Sequence, residues 1–257
     1  MVKVIVIGSG NVAQHLITAF QNAEKNESGI SLIQVFARKR ESLAALIPIQ
    51  KVTNQFSELL EADLYIIAVS DDAIESVSSE LLFKNRLVAH TSGSVPLTIL
   101  NNNNRKAVFY PLQSFTKGAA VDFRTIPLCL EAENSIDFQM LSKVGKLISD
   151  HATAINSQQR KALHVAAVFA NNFSNHLYQI ANDICKENQV PFSILKPLIQ
   201  ETAKKIVTLD PEQAQTGPAK RNDQITIDAH EAFLKDDNQL KIYKLLTQSI
   251  QHNGKKL

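Results

Sequence analysis

The residues that open the chain have the types and spacing of a dinucleotide-binding turn. The run Gly8-Ser9-Gly10-Asn11-Val12-Ala13 follows an apolar, β-branched segment, residues 2–7, and leads into residues 14–20, whose apolar positions have helical spacing. In a strand–turn–helix unit of this kind, Gly8 permits the tight turn, Gly10 lets the backbone approach a pyrophosphate, and Ala13 keeps the helix close to the strand. The free N–H groups of the helix N-terminus then bind the phosphates. A structural turn without a ligand is the alternative, but the strand and helix on either side favour a nucleotide site. The residues expected to contact the cofactor here are Gly8, Ser9, Gly10, Asn11 and Val12.

Three consecutive basic residues stand where the adenosine ribose of such a cofactor would lie. The predicted second strand, residues 30–36, is followed by Ala37-Arg38-Lys39-Arg40 and carries no acid at its end. Folds that select NAD place an Asp or Glu at this point to bind the ribose hydroxyls, whereas guanidinium groups bind a phosphate with two hydrogen bonds. We therefore predict NADP as the cofactor, contacted by Ala37, Arg38 and Lys39. A solvated loop is the alternative explanation of the basic run.

Polar residues also follow three further predicted strands. Ligands of open α/β sheets bind at the carboxyl ends of the strands, so we expect Val69 and Ser70 to contact the cofactor. Hydroxyl, amide and backbone N–H groups after the next two strands are candidates for binding a substrate carboxylate or carbonyl. Ordinary turn chemistry explains these residues equally well, because Ser and Gly are common in turns. The four substrate-binding candidates are Ser92, Gly93, Gln113 and Ser114.

A polar stripe runs along a long helix predicted over about residues 157–187. Lys161, His164 and Asn172 recur at helical spacing among apolar residues, and buried polar side chains require partners. His164 is the catalytic candidate, because the pKa of histidine lies near neutrality and the ring can exchange the proton that accompanies hydride transfer. Lys161 is the second candidate for this role, and Asn172 would orient the substrate. A histidine satisfied inside the core is the alternative.

The last polar group is the loop of residues 217–223. Its Gly-Pro pair marks a loop, and Asn222 or Asp223 would cap the helix that follows. Arg221 is a candidate for closing over an anionic substrate or over the site of a neighbouring subunit; a surface loop residue is the alternative.

We favour His164 over His90 and His230 for proton transfer, because only His164 lies on the helix expected to face the nicotinamide.

The order of the predicted elements indicates a doubly wound α/β fold. Buried strands alternate with helices up to residue 156, and such helices join parallel strands through right-handed crossovers. Beyond residue 156 the pattern is helical throughout. We predict a mostly parallel Rossmann sheet in residues 1–156 and an all-α domain in residues 157–257. The predicted strands are residues 2–7, 30–36, 49–53, 63–69, 86–90, 106–110 and 127–131, and helices are predicted from Asp71 and over residues 135–149.

The composition excludes several other classes of protein. With 257 residues, 44% of them hydrophobic and 20% charged, the chain has the make-up of a globular protein. It has no apolar run that could span a bilayer, and Met1 leads directly into a strand, so we expect neither a membrane segment nor a signal peptide. Two distant cysteines without metal-ligand spacing favour a cytoplasmic location and no bound metal. The net charge of +2 does not indicate a nucleic-acid partner.

The apolar character of the long helix also predicts a second copy of the chain as a partner. Apolar residues at 162–163 and 165–170 surround this helix on most sides. A domain of about 100 residues has little core with which to cover them. We therefore predict a homodimer formed through the C-terminal helices.

Residues 1–110 resemble the dinucleotide-binding domain of pyrroline-5-carboxylate reductases, 6-phosphogluconate and β-hydroxyacid dehydrogenases, and F420-dependent NADP reductases. The resemblance rests on residues 8–13, 37–39 and 62–74. The whole chain is similar to a bacterial group that joins this domain to an all-α C-terminal domain of unknown function, of the type found in 6-phosphogluconate dehydrogenases. The resemblance implies an NADP-dependent oxidoreductase, places the loop of Arg221 in the family signature, and implies no particular substrate. The further matching segments are residues 90–94, 110–115, 164–172 and 216–223.

Two functions are compatible with these residues. The first is an NADP(H)-dependent oxidoreductase that transfers a hydride to or from a small C=O or C=N compound carrying an acidic group. The second is a non-catalytic protein that binds NADP(H) and acts as a sensor or regulator through its helical domain. The use of F420 as cofactor is left open by the sequence.

Overall fold

A single mixed sheet forms the core of the N-terminal part of the chain. The strands are β1 (Val2–Ile7), β2 (Ile30–Phe36), β3 (Val52–Thr53), β4 (Leu64–Ile67), β5 (Leu87–His90), β6 (Arg105–Pro111), β7 (Leu128–Ala132) and β8 (Ala152–Ala154). In this computed structural model, which describes residues 1–26 and 28–253, their spatial order is β3-β2-β1-β4-β5-β6-β7-β8. All neighbours pair in parallel except β6 and β7, which are antiparallel. The predicted doubly wound, mostly parallel sheet is confirmed.

Helices connect the strands and make up the C-terminal part of the described chain. A π-helix, Val168–Phe173, lies between α4 and α5, so that residues 157–187 are helical throughout, as predicted. The helices are α1 (Asn11–Lys25), α2 (Ile74–Ser79), α3 (Ser135–Ile148), α4 (Ser157–Ala167), α5 (Ser174–Glu187), α6 (Lys196–Thr208), α7 (Pro211–Ala214), α8 (Pro218–Arg221), α9 (Gln224–Phe233) and α10 (Asp237–Asn253).

The central strands are buried on both faces of the sheet. Every residue of β4 and β5 is buried, and so is every residue of β1 except Lys3. Strands of a parallel sheet are covered by helices on both sides, which explains why these segments are continuous apolar runs without alternation. Leu16, Ile17 and Phe20 of α1 are fully buried in the same core. The apolar strands of the sheet and the apolar face of α1 therefore pack against each other in one core.

The structure differs from the predicted elements at three short segments. Of the strand predicted over residues 49–53, only the last two residues form a strand, β3. The first three residues form a 3₁₀-helix, Ile49–Lys51, which follows Pro48. The helix predicted from Asp71 begins as a 3₁₀ turn and becomes α-helical at Ile74. β8 was not predicted, since its three residues are too few for a periodic pattern.

Contacts divide the chain into two compact units, Met1–Asn171 and Asn172–Leu257. The first contains the sheet and α4, and the second begins within the π-helix. Residue 156, where we predict the domain boundary, is the N-cap of α4, and the boundary there stays a prediction. Among the described residues, no helix combines the length and the apolar character needed to cross a membrane.

Three strands end in one row at the carboxyl edge of the sheet, and a fourth, β6, extends three residues beyond this row. The register places Ile7 beside Ile67, Ile67 beside His90, and His90 beside Val108. Because these strands are parallel, the segments that follow them emerge at the same edge. The predicted cofactor turn and the predicted substrate-binding loops are thereby brought to one side of the sheet.

His90, the last residue of β5, is a neutral histidine inside this edge. Its side chain is fully buried, and its Nδ1 accepts a hydrogen bond from the Ser92 N–H at 3.2 Å. Burial, reinforced by the positive charge of Arg160, lowers the pKa of His90 to about 4. His90 is therefore uncharged at neutral pH, and its ring serves as an acceptor for the turn that follows the strand.

This burial predicts a specific loss of stability in acid. The unfolded chain takes up a proton on His90 near the ordinary pKa of about 6.5, so the contribution is complete above that pH and is lost as the pH falls toward 4. Between pH 7 and pH 5 we expect about 2 kcal/mol of the unfolding free energy to be lost through this residue. Urea denaturation of the wild type and of His90→Asn at both pH values measures it. An equal loss in both proteins would contradict the assignment.

Candidate functional site

The turn after β1 is shaped for a dinucleotide. Gly8 has φ +141°, and a Cβ atom on it would lie 2.1 Å from the Ala68 carbonyl oxygen, so only glycine fits. At Gly10, the N-cap of α1, a Cβ would meet nothing within 4 Å. No side chain caps α1, which leaves the first N–H groups of the helix for an anion. The open space over Gly10 and these donors fit a bound pyrophosphate.

The loop after β6 contacts this turn directly. Asn11 Nδ2 donates a hydrogen bond to the Phe115 carbonyl at 3.0 Å, and His15 Nε2 lies 3.1 Å from the Thr116 carbonyl oxygen. Within the turn, Gln14 Nε2 donates to the Ser9 carbonyl at 2.8 Å. The side chain of Asn11 is thus occupied by protein, and a contact of Asn11 with the cofactor would use its backbone.

Two of the three basic residues after β2 are exposed. Arg38 and Lys39 face solvent, whereas Arg40 is partly buried and its Nη2 donates to the Ile49 carbonyl at 3.0 Å. Ala37 is buried, and its N–H donates to the Thr53 carbonyl at 2.9 Å. Arg38 and Lys39 are therefore the groups available for a 2′-phosphate, and Ala37 joins β2 to β3.

The segment after β4 lies next to the turn. Val69 is half-buried and packs on the apolar cluster of Ile7 and Ile67, and Ser70 is exposed. The Ser70 carbonyl accepts the N–H of Ala73 in the 3₁₀ turn that begins α2. Contacts of Val69 and Ser70 with the cofactor stay a prediction.

A tyrosine–histidine pair stands at the carboxyl end of β6. Tyr110 Oη and His164 Nδ1 are 3.1 Å apart, and the two rings meet edge to face. Burial raises the pKa of Tyr110 to about 12, so its phenol is protonated at neutral pH. His164 is only partly buried. The pair thus places exchangeable protons at the carboxyl edge of the sheet.

Gly93 makes room for this pair. A Cβ atom at Gly93 would lie 2.5 Å from His164 Nδ1 and 2.7 Å from Tyr110 Cζ. The two rings therefore leave no room for a side chain at Gly93, and a substitution there would require the rings or the backbone to shift.

The hydroxyl groups of Ser92 and Ser94, on either side of Gly93, form hydrogen bonds with other residues of the protein. Ser92 Oγ accepts the N–H groups of Ser94 at 3.1 Å and Val95 at 3.0 Å. Ser94 Oγ donates to Asp71 Oδ2 at 2.5 Å, which joins this turn to the segment after β4. Turn chemistry accounts for these contacts of Ser92, and a role in substrate binding stays a prediction.

A buried arginine that sequence reasoning missed lies behind the turn. Arg160 is completely buried, its Nη1 donates to the carbonyls of Ser92 and Val95, and its Nη2 donates to Glu131 and Ser157. A charged residue in the first turn of a helix gives no signal of burial in the sequence. Its spacing from His164, four residues, was the available hint, because residues four apart share a helix face.

The other predicted residues of the first unit are exposed. Lys161 faces solvent on α4. Gln113 and Ser114 are also exposed, and Gln113 Oε1 accepts the Ser114 N–H at 2.9 Å. Among the described residues, no cluster of His, Cys, Asp and Glu side chains is suited to hold a metal ion.

The second unit holds the remaining candidates, Asn172 and Arg221. Asn172 is exposed, and Arg221 lies 3.9 Å from Asp223 in a loose, exposed ion pair. Gly217 has φ +106° at the start of this loop, and Asp223 caps α9 by accepting the Thr226 N–H. Hydrogen bonds from Thr226 lower the pKa of Asp223. The predicted cap of the following helix at Asp223 is correct, whereas residues 218–221 of the predicted loop form the short helix α8, and the role of Arg221 stays a prediction.

Two family models match the chain. Residues 3–92 match a family described as NADP oxidoreductase, coenzyme F420-dependent, and residues 126–250 match a domain of unknown function. No curated protein sequence matches. The matches agree with the resemblance inferred from the sequence motifs.

Solved structures extend the likeness to the whole chain. A Bacteroides fragilis protein to which NADP oxidoreductase activity is attributed is 36% identical, with 98% of both chains covered and a TM-score of 0.86. A Thermotoga maritima protein is 20% identical over 98% of both chains with a TM-score of 0.75, which shows a shared fold. A pyrroline-5-carboxylate reductase from Coxiella burnetii shares the fold at 14% identity, with 99% of this chain and 98% of that chain covered and a TM-score of 0.57. The chain therefore belongs to the family of the Bacteroides fragilis protein, in which an NADP oxidoreductase domain is joined to a C-terminal domain of unknown function.

Proposed function

We propose that this protein is an NADP(H)-dependent oxidoreductase that transfers a hydride to or from a small C=O or C=N compound. The observation that carries the proposal is the Tyr110–His164 pair, which stands on the same sheet edge as the dinucleotide turn. Reduction of either bond consumes one proton for each hydride. A cofactor turn and a proton-donating pair on one edge supply both requirements.

The names of several structural neighbours agree with this reaction class. A Myxococcus stipitatus imine reductase variant, solved in complex with NAD+, is 14% identical over 98% of this chain and 93% of that chain, with a TM-score of 0.64. At this level of identity the likeness shows the fold alone. The family is one of NADP oxidoreductases, which agrees with the predicted cofactor. F420, which the matching family's description also names, is the second cofactor to test.

The chain's own residues bind the cofactor and move the proton. Bound NADPH would supply the hydride, with its phosphates at Gly10 and its 2′-phosphate at Arg38 and Lys39. When the protonated phenol of Tyr110 donates to His164 Nδ1, the ring proton of neutral His164 is on Nε2. That proton passes to the oxygen or nitrogen of the substrate while the phenol of Tyr110 transfers its own proton to Nδ1, and the resulting phenolate then takes up a proton from water.

The substrate-binding residues complete the proposal. Gly93 lies against the pair and shapes the adjacent surface, and Ser92, Gln113 and Ser114 belong to the loops on either side of it. Lys161 is the alternative proton donor, Asn172 would orient the substrate, and Arg221 would bind an acidic group of it. These assignments rest on the sequence pattern and are tested by substitution once a substrate is known.

The first prediction of this proposal concerns catalysis. His164→Gln or Tyr110→Phe should lower turnover by about 10²- to 10⁴-fold, the usual contribution of an acid–base group, and leave NADPH affinity unchanged. Turnover is followed as loss of NADPH absorbance in a screen of carbonyl and imine compounds.

A matched control comes from a second tyrosine–histidine pair in the chain. Tyr243 Oη lies 3.0 Å from His230 Nδ1 in the second unit, and Tyr243→Phe should leave turnover intact. NADPH binding without oxidation of any carbonyl or imine in the screen would favour the non-catalytic sensor.

A second prediction concerns cofactor choice. NADPH should bind about 10- to 100-fold more tightly than NADH, because a charge-assisted contact to the 2′-phosphate contributes about 1.5–3 kcal/mol. Replacing Arg38 and Lys39 together with Ala should remove the difference, and Lys84→Ala, a change of another exposed lysine, should not. Calorimetric titration with both nucleotides decides. Equal affinities in the wild type would show that the basic run is a solvated loop.

We also propose that the protein is a homodimer, because its C-terminal helices leave apolar side chains uncovered. None of residues 161–218 is buried, although most of them are helical. Leu198 and Ile206, eight residues apart on one face of α6, are 63% and 53% exposed. A helix stabilised by packing requires that such a face be covered, and a two-fold axis would bring the same face of a second copy against it.

The dimer predicts a defined particle mass. Light scattering at micromolar concentration should give twice the 28.5 kDa of the chain. Leu198→Asp should shift the mass toward the monomer, because it would bury an unpaired charge at the interface. Leu82→Asp, at an exposed leucine of the first unit, should not. A wild-type mass of one chain would rule out the proposal.

A further inference from the structure

The completely buried side chain of Arg160 joins three segments of the first unit. Its Nη1 donates to the Ser92 carbonyl at 3.0 Å and to the Val95 carbonyl at 2.8 Å. Its Nη2 donates to Glu131 Oε2 at 3.1 Å and to Ser157 Oγ at 3.0 Å. These contacts connect the turn after β5, strand β7 and the first turn of α4.

Ser157 completes the connection at the start of α4. Its hydroxyl contacts both carboxylate oxygens of Glu131 at 2.9 Å and accepts the Leu97 N–H at 3.2 Å, and its own N–H donates to Glu131. The first turn of α4 is thus fixed to β7 and to the segment that follows the Ser92–Val95 turn. A helix begun in this way has little freedom to slide or rotate.

We propose that Arg160 is a positioning residue for the Tyr110–His164 pair, an inference that rests on the proposed function. Arg160 holds the turn that carries Gly93, and it lies four residues before His164 on the same face of α4. One guanidinium therefore sets both the position of the Gly93 backbone and the helix that carries His164. The hydrogen bonds of the Arg160 guanidinium go to Ser92, Val95, Glu131 and Ser157 and not to either ring, so Arg160 acts through these two elements.

The narrow clearance at Gly93 makes the pair sensitive to this position. The backbone of Gly93 is so close to both rings that a single added carbon would lie 2.5 Å from His164 Nδ1. A shift of the turn by a fraction of that distance would either push the rings apart or open a gap between them. Displacements of about 1 Å are enough to lower turnover about 10²-fold in a preorganised site.

The geometry of the contacts requires a guanidinium. Two carbonyls on one side and a carboxylate and a hydroxyl on the other are bound by separate nitrogen atoms of one planar group. A lysine ammonium offers the same charge from a single nitrogen and cannot reach both sides at once. Arg160→Lys therefore separates the positioning role from the charge.

The test observes the pair directly by NMR of the histidine ring nitrogens. The signal of His164, assigned by its loss in His164→Gln, should change in Tyr110→Phe because Nδ1 loses its partner. Arg160→Lys should change the same signal in the same direction. Arg86→Lys, in an arginine–glutamate pair on the exposed surface of the same unit, is the matched control and should leave it unchanged.

The outcomes separate this inference from the proposed function. No change in Tyr110→Phe would mean that the pair does not form in solution, which overturns the proposed proton donor. A change in Tyr110→Phe without one in Arg160→Lys overturns only the positioning role. If Arg160→Lys does not fold, Glu131→Gln, which keeps the volume and removes the charge of the partner, replaces it and should change the His164 signal. An unchanged signal in that variant also overturns the positioning role.

A turnover measurement provides a second readout once a substrate is found. Arg160→Lys should lower kcat about 10- to 100-fold and leave NADPH affinity unchanged. A loss of NADPH affinity equal to the loss of kcat would indicate general damage to the fold and overturn the assignment.

Discussion

Parallel pairing of the central strands is the constraint on which the candidate site depends. Because β1, β4, β5 and β6 run in the same direction, each contributes the segment that follows it to a single edge. Residues separated by a hundred positions are thereby placed side by side, as in the hydrogen bond from Asn11 to the Phe115 carbonyl. This arrangement requires that the central strands be buried on both faces, and the sequence accordingly has continuous apolar runs in these strands.

Features that depend on neighbouring residues were predictable from the sequence. The glycine turn is an example: the backbone of Gly8 has φ +141°, an angle that favours glycine whatever lies around it. The strands and long helices were predictable for the same reason, since burial on one or both faces leaves a period in the sequence. β3 and β8 are too short for a period, and their pairing depends on the strands beside them.

The partners of the site residues were not predictable in this way. The sequence indicates His164 by its position on an apolar helix, but the tyrosine beside it lies 54 residues earlier, at a strand end and in a family motif, and no pattern links the two. The sequence predicts an exposed side chain for Arg160, because arginine is usually exposed and nothing in the residue type distinguishes a buried arginine from an exposed one. Only the fold shows that carbonyls of the Ser92–Val95 turn and the Glu131 carboxylate converge on it.

The ion pair between the buried Arg160 and the partly buried Glu131 contributes to positioning the site at a cost to the stability of the protein. Removing water from a charged pair costs free energy that its attraction recovers only in part, and well-packed apolar residues of similar volume often replace such a pair without loss or with a gain of stability. A protein selected in the laboratory for heat resistance alone could therefore exchange both residues for a hydrophobic pair, provided that other donors reach the Ser92 and Val95 carbonyls. Such a thermostable variant would keep the sheet and the nucleotide turn and lose the support of Gly93, so that binding of the nucleotide would cease to be a measure of an intact site.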